Sequence, residues 1–353
     1  MFTFAGKLHI NNFSCIMANV IKIKKGLDIN LKGKASDVLL NGGKSESYAI
    51  VPDYYNGILP KVVAKVGEKV KAGSVLMIDK NRPEIKFVSP VSGEVTAVNR
   101  GEKRKVLSIV VKPDAQIEYE EFGKKNVASL QGAEVKEVLL NAGMWPFIKQ
   151  RPYDIVAAPL DTPRDIFVSA FYSAPLAPNF DFIVKGQEAD FQTGLNALAK
   201  LTNGKVYVGV RSGSVVSGMK GVEIVEVEGP HPAANVGVQI NHIKPVNKGE
   251  VVWTVNPADV IVIGRLFNKG VADFSRMVAI TGSETTERGY VKTISGCTIK
   301  SLVNGKVLGQ EHIRIISGNV LTGTKVNMDG YLGAYDNPVS YTHLRAHETV
   351  LDL

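Results

Sequence analysis

A multidomain α/β protein is predicted by three features of the sequence. Residues 58–95 hold short β-branched strands separated by Val-Gly-Glu, Ala-Gly and Ser-Gly turns. Between 166 and 210 the pattern becomes strand, helix, strand, which implies a parallel crossover and hence a Rossmann-like α/β layer. Past 270 come the alternating runs SRMVAITGS, GYVKTISGCTI and EHIRIISGN, the pattern of a small β-grasp domain. The expected division is an upstream leader over 1–16, a β domain over 17–115, a Rossmann-like domain over 116–255, a connecting helix with the β-grasp domain over 256–335, and a truncated or foreign tail over 336–353.

Length and composition agree with this division. A chain of 353 residues exceeds the roughly 100 to 200 of one domain, and 44% hydrophobic with 22% charged residues is an ordinary globular balance. No apolar run reaches the roughly 18 residues of a membrane-spanning helix. The net charge of +8 is spread out: Lys22, Lys24 and Lys25 form one cluster and Lys103, Arg104 and Lys105 another, diluted by carboxylates. It reads as a solvated basic surface, with no nucleic-acid partner. Cys15 and Cys297 stand far apart, so no disulfide framework and no zinc or iron–sulfur site can be built locally. Cys297 is expected as a small buried hydrophobe, and the pair fits a reducing compartment.

Met17 opens a run, MANVIKIKKGLDINLKG, that reads as a natural start, whereas the preceding residues lack the pattern of a signal peptide. At the other end, PVSYTHLRAHETVLDL changes composition abruptly.

In the first domain the turns at Gly67, Gly73 and Gly93 and the Ser89-Pro90 step resemble the biotinyl/lipoyl carrier fold, which presents a lysine on a hairpin. Here the tip reads Asp79-Lys-Asn-Arg-Pro83, with Arg82 at the acylated position. A guanidinium cannot accept the acyl group, and Lys80 is off register. The domain is therefore read as a structural relic or a docking surface.

The second segment opens with QGAEVKEVLLNAG, where Val135, Val138, Leu139 and Ala142 share a helical face and Gly143 stops it. Strands follow at IFVSAF (166–171), KVYVGV (205–210) and VEIVEVE (222–228), with a helix over 186–202. Dinucleotide binding would need a glycine-rich turn after the first strand. Tyr172-Ser-Ala-Pro-Leu-Ala-Pro178 contains no glycine, and the two in Val208-Gly-Val-Arg-Ser-Gly-Ser214 do not complete the fingerprint. In the third segment Asn256-Pro-Ala-Asp259 caps a helix that Gly270 closes.

This domain order resembles a superfamily that includes the flavin subunit of respiratory complex I, the C subunits of Rnf-type ferredoxin oxidoreductases and the A subunits of Na⁺-translocating NADH:quinone reductases. The last are matched specifically by Gly26-Leu-Asp-Ile-Asn30, Leu140-Asn-Ala-Gly-Met-Trp-Pro-Phe147 with Arg151-Pro152, Glu228-Gly-Pro-His-Pro232 and Asp259-Val-Ile-Val-Ile-Gly-Arg-Leu-Phe-Asn-Lys-Gly270. The flavin-binding members have a glycine-rich loop where this chain has Gly143-Met-Trp-Pro-Phe-Ile148, and they carry cluster cysteines that are lacking here.

The resemblance implies a peripheral subunit on the cytoplasmic face of the bacterial inner membrane, against the membrane-embedded B subunit. The complex, a translocase, passes electrons from NADH to quinone and exports Na⁺. Flavins, iron–sulfur centres and the NADH site then lie on partner subunits, this chain holds no cofactor, metal or catalytic centre of its own, and quinone binding is its one implied ligand role. The rival readings are a free-standing carrier-domain protein, which needs a competent lysine, and an Rnf-type C-like subunit, which the missing cysteines disfavour.

A quinone site needs an apolar slot and one or two donors. Trp145, Phe147 and Arg151 are candidates for it, with the alternative that the two rings are core and the arginine a surface cation. His231, framed by Pro230 and Pro232, is a candidate proton donor or else part of a rigid turn. His242 is read as a strand residue.

Overall fold

The computed structural model describes residues 19–303, 305–307 and 313–343. The β domain is two small sheets face to face. One contains Tyr48–Ile50, Lys69–Val70, Gly93–Arg100 and Val106–Pro113, and the other Pro60–Val62, Val75–Asp79 and Lys86–Val88. Leu76, Met77, Ile85, Val91, Val95, Ile109 and Val111 are fully buried between them. The hairpin carrying Arg82 is closed onto its surroundings. Its guanidinium donates to the buried Asp79 carboxylate at 2.7 Å, to the Val156 carbonyl at 3.1 Å and to the Gly57 carbonyl at 2.8 Å.

The α/β domain is built on a seven-stranded sheet. Its strands are β1 (Asn19–Lys22), β2 (Ile148–Arg151), β3 (Ile155–Val156), β4 (Ile166–Ser169), β5 (Val206–Val210), β6 (Glu223–Glu228) and β7 (Val252–Val255), in the spatial order β1-β6-β5-β4-β7-β2-β3. From β1 to β7 in that order all neighbours run parallel, and β2 and β3 close the edge antiparallel. The helices are α1 (Gly132–Asn141), α2 (Phe180–Val184), α3 (Glu188–Ala199), α4 (Val236–Ile243) and α5 (Pro257–Lys269). α1 begins where the Glu134 carboxylate accepts the Gln131 amide at 2.7 Å. α5 begins where Asn256 Oδ1 accepts the Ala258 amide at 3.1 Å, and it stops at Gly270, φ 76°.

α3 and α5 pack at unusually close range. A Cβ on Gly264 would lie 1.7 Å from the Asp190 carbonyl oxygen, and one on Gly194 would lie 2.1 Å from that of Val260. Both helices need glycine at the crossing because backbone meets backbone there.

Three expectations change. The helix over 257–269 is not a connector of the third domain: Pro257 through Phe267 are all buried, so it must be covered on every side, and α3 covers it within the α/β layer. His242, expected on a strand, lies in α4, its ring nitrogen 2.8 Å from the Val238 carbonyl. The sheets also cross the expected boundaries. β1, from the head of the first segment, pairs with β6, and Leu39–Leu40 pairs with Gly289–Ile294 of the third sheet.

That third sheet has six strands, including Ser275–Thr281, Gly289–Ile294 and Ile313–Ser317. Pro338–His343, read from composition as foreign tail, is an interior strand of it, parallel to Ser275–Thr281 and antiparallel to Ile313–Ser317. Val339 and Tyr341 on it are fully buried. Cys297 is buried beside Tyr48, and the leader residues lie outside the described part.

Candidate functional site

In a doubly wound sheet, ligands settle outside the carboxyl ends of the strands where the winding reverses. Here the chain steps from β4 to β5 to β6 in one direction and then returns to place β7 on the other side of β4. The reversal opens a cleft of about 600 Å³ at Ser169–Tyr172 and Thr254–Pro257. Its other walls are β2, the amino end of α4, and Thr322 and Tyr335 from the third domain.

Period-two geometry explains the cationic wall. Along β2, Ile148 and Gln150 turn into the protein while Lys149 and Arg151 share the face toward the cleft. Asp154, at φ 52°, sits between them: its carboxylate is 3.4 Å from Lys149 Nζ and 3.3 Å from Arg151 Nε. Lys149 also stands 4.2 Å above the Tyr335 ring. Opposite, the Asn235 side chain makes no capping bond to α4. The amides of Val236 and Gly237 have no acceptor among the described residues. A Cβ on Gly237 would lie 3.9 Å from Arg151 Nη1, so the guanidinium and the helix end face one another.

The floor is a polar network spanning two domains. Tyr172 Oη donates to Asn256 Oδ1 at 3.1 Å and accepts from Asn337 Nδ2 at 2.9 Å. Asn256 Nδ2 donates to the Tyr335 carbonyl at 3.3 Å, and Tyr335 Oη donates to the Pro146 carbonyl at 2.6 Å. One turn into α5, Asp259 accepts from Arg276 at 2.9 Å, both side chains being almost wholly buried. Burial pushes the Asp259 carboxyl up to about 6, with the Arg276 charge opposing. Burial also raises the Tyr172 and Tyr335 phenols, so both stay protonated hydrogen-bond donors at neutral pH.

Of the four residues singled out from sequence, two border the cleft. Phe147 is mostly buried and edges it, and Arg151 stands in its wall. Trp145 does not reach it: the indole is fully buried, packs edge-on to Trp253 at 5.4 Å and donates to the Ala157 carbonyl at 2.8 Å. His231 lies in the loop after β6, its Nδ1 3.1 Å from Ser173 Oγ and its backbone amide donating to Asp28 at 2.8 Å. Lys149, Asp154, Tyr172 and Tyr335 escaped the sequence reading, although alternation across Ile148–Arg151 carries a signal for Lys149 beside Arg151. Among the described residues no group of three or more His, Cys, Asp or Glu could hold a metal ion, and no helix is long and apolar enough to cross a membrane.

A barrel-like β domain, a doubly wound layer without a phosphate turn and a third small β domain define a class of multidomain chain with its cleft at a sheet reversal. Family descriptions fit all three parts: "NqrA N-terminal barrel-sandwich hybrid domain" over 21–114, "NqrA second alpha/beta domain" over 130–272 and "NQRA C-terminal domain" over 277–328. The chain is 36% identical over 326 residues to the A subunit of the Na(+)-translocating NADH-quinone reductase of Neisseria meningitidis, covering 91% of this chain and 73% of that protein. It is 37% identical over 327 residues to the corresponding protein of Hahella chejuensis, with the same coverage. The chain therefore belongs to the NqrA family, the A subunits of the Na⁺-translocating NADH–quinone reductases. A solved NAD⁺-reducing [NiFe]-hydrogenase chain aligns over 52% of this chain and 41% of its own at 12% identity, with a TM-score of 0.37.

Proposed function

We propose that this chain works as the peripheral NqrA component of a Na⁺-translocating NADH–quinone reductase, and that its switch-point cleft receives quinone. The observation that carries the first part is the even match to NqrA across all three domains. The chain contributes to a complex that moves electrons from NADH to quinone and Na⁺ across the membrane. It sits on the cytoplasmic face against the membrane-embedded B subunit, while flavin, iron–sulfur and NADH sites belong to partner subunits.

The cleft supports the second part. Phe147, Phe171, Tyr172 and Tyr335 offer ring-sized apolar and aromatic walls, and Arg151, Lys149 and the free α4 amides offer donors to carbonyl oxygens. Trp145 holds the β2 edge from behind, and His231 orients the Ser173 loop next to Tyr172.

The test is assembly with the partner subunits followed by labelling with a photoreactive quinone. Co-purification with the membrane complex is expected, with label on Phe147, Tyr172 or Tyr335. Failure to co-purify overturns the assignment to that complex, and label confined to other chains overturns the quinone site.

A further inference from the structure

The polar groups of the cleft are asymmetric in charge. Lys149 and Arg151 have one carboxylate within ion-pair distance, Asp154, while the more distant buried Asp259 and Asp336 act on Lys149 from beneath the floor. Among the described residues Asp154 is the one carboxylate paired with Arg151, and the two terminal guanidinium nitrogens have no acceptor. The Arg151 Nε is buried and makes no hydrogen bond. Across from it, the Val236 and Gly237 amides add the partial positive charge of a helix amino end. Among the described residues no acid other than Asp154 lines the cleft. A neutral quinone carbonyl would use these donors weakly, whereas an oxygen carrying a full negative charge would use all of them.

We infer that the switch-point cleft selects a ring oxygen that is ionised, binding a hydroxyquinone anion more tightly than a neutral quinone of the same size. This rests on the reading that the cleft takes a quinone, and adds which charge state of that class it prefers. The anionic oxygen sits between the Arg151 guanidinium and the α4 amides, with Lys149 contributing through space. The ring lies against Tyr172 and Tyr335, whose protonated hydroxyls are engaged in the floor and add no negative charge.

The experiment compares two probes on the full chain by calorimetry at pH 7.5: 2-hydroxy-1,4-naphthoquinone, ionised at that pH, and 2-methyl-1,4-naphthoquinone, which is neutral. The hydroxy compound should bind about tenfold more tightly in low salt, with the preference shrinking in 0.5 M salt. Arg151→Gln should reduce the preference to about twofold or less. Gly237→Pro, which deletes one helix-end amide where proline is tolerated, should reduce it by about threefold. Melting curves confirm that each variant is folded. Equal binding of the two probes, or a preference that survives both substitutions, overturns the inference and leaves the quinone reading standing. Failure of both probes to bind at all overturns that reading itself.

Discussion

Two arginine–aspartate pairs in this protein have the same chemistry and opposite surroundings. Arg276 and Asp259, at 2.9 Å, have side chains 2% and 1% exposed and join β-grasp strand to α/β helix. Arg151 and Asp154, at 3.3 Å, are 29% and 37% exposed and stand in the wall of a cleft. In the first pair Arg276 donates to Asp259 and to the Asp336 carbonyl while its Nε and Asp259 Oδ2 are buried without a partner, and the loss of either residue leaves a charge stranded in the interior. In the second, the outer donors turn on open space, and the pair is too solvated to hold the fold together. A charged pair is therefore informative through what its remaining nitrogens face, and that criterion separates the joint from the site.

The largest effects should fall on the buried side of the comparison. Arg276→Met removes the cation and leaves Asp259 uncompensated, which should cost about 3 to 5 kcal/mol at pH 8 in denaturant melts. The loss should be smaller at pH 5, where Asp259 can take a proton instead. Trp145→Ala should cost a similar amount, about 3 to 5 kcal/mol, because a fully buried indole leaves a cavity and strands the Ala157 carbonyl. A change below about 1 kcal/mol in either variant would show that the joint is looser than its packing implies.

Next in size is the pH dependence of that joint. The Asp259 carboxyl titrates at about 6 when folded against an ordinary 3.8. Between those values the folded chain holds the proton and the unfolded chain has lost it. Asp259 therefore contributes a fall in stability as pH rises through this window, by on the order of 3 kcal/mol, and the buried Asp336 carboxyl, also raised by burial, acts in the same sense. Asp273, held down to about 2 by Arg265 and its hydrogen bonds against the opposing effect of burial, acts in the opposite sense but only below 3.8, outside the window. Asp259→Asn should flatten the decline in melting temperature between pH 5 and 7, and an unchanged slope would mean that another group carries it.

What was legible in the sequence divides along related lines. Helices α1, α3 and α5 are visible because they carry periodic apolar residues, and α1 and α5 also because a glycine, Gly143 or Gly270, follows their last turn. β4, β5 and β6 were visible as β-branched runs of four to six residues. α4 was lost because Val236, Val238, Ile240 and Ile243 have strand-like propensity, which packing against β4 overrides. β1 and Pro338–His343 were lost because their partners are remote in sequence, Val225 for Asn19 and Ala279 for Pro338, and composition says nothing about pairing. The site was half legible for the same reason. Phe147 and Arg151 sit in a recognisable run, whereas Tyr335 and Asn337 reach the cleft and its floor from another domain, beyond the range of any local motif.

The smallest expected change in stability is also the sharpest probe of the open pair. Asp154 occupies a left-handed backbone position, φ 52°, which Asn adopts nearly as readily, so Asp154→Asn alters charge with little backbone cost. Removing a half-exposed ion pair of this kind should move stability by no more than about 1 kcal/mol. The carboxylate nonetheless neutralises part of the field of Lys149 and Arg151, lying 3.4 Å and 3.3 Å from them. Its loss should free both cations, so an anionic naphthoquinone should bind about threefold more tightly while the neutral analogue is unchanged. The gain should disappear in high salt. If Asp154→Asn instead weakens both ligands together, the carboxylate is a positioning group that holds Arg151 in line. The cleft pair would then be structural after all, like the joint between Asp259 and Arg276.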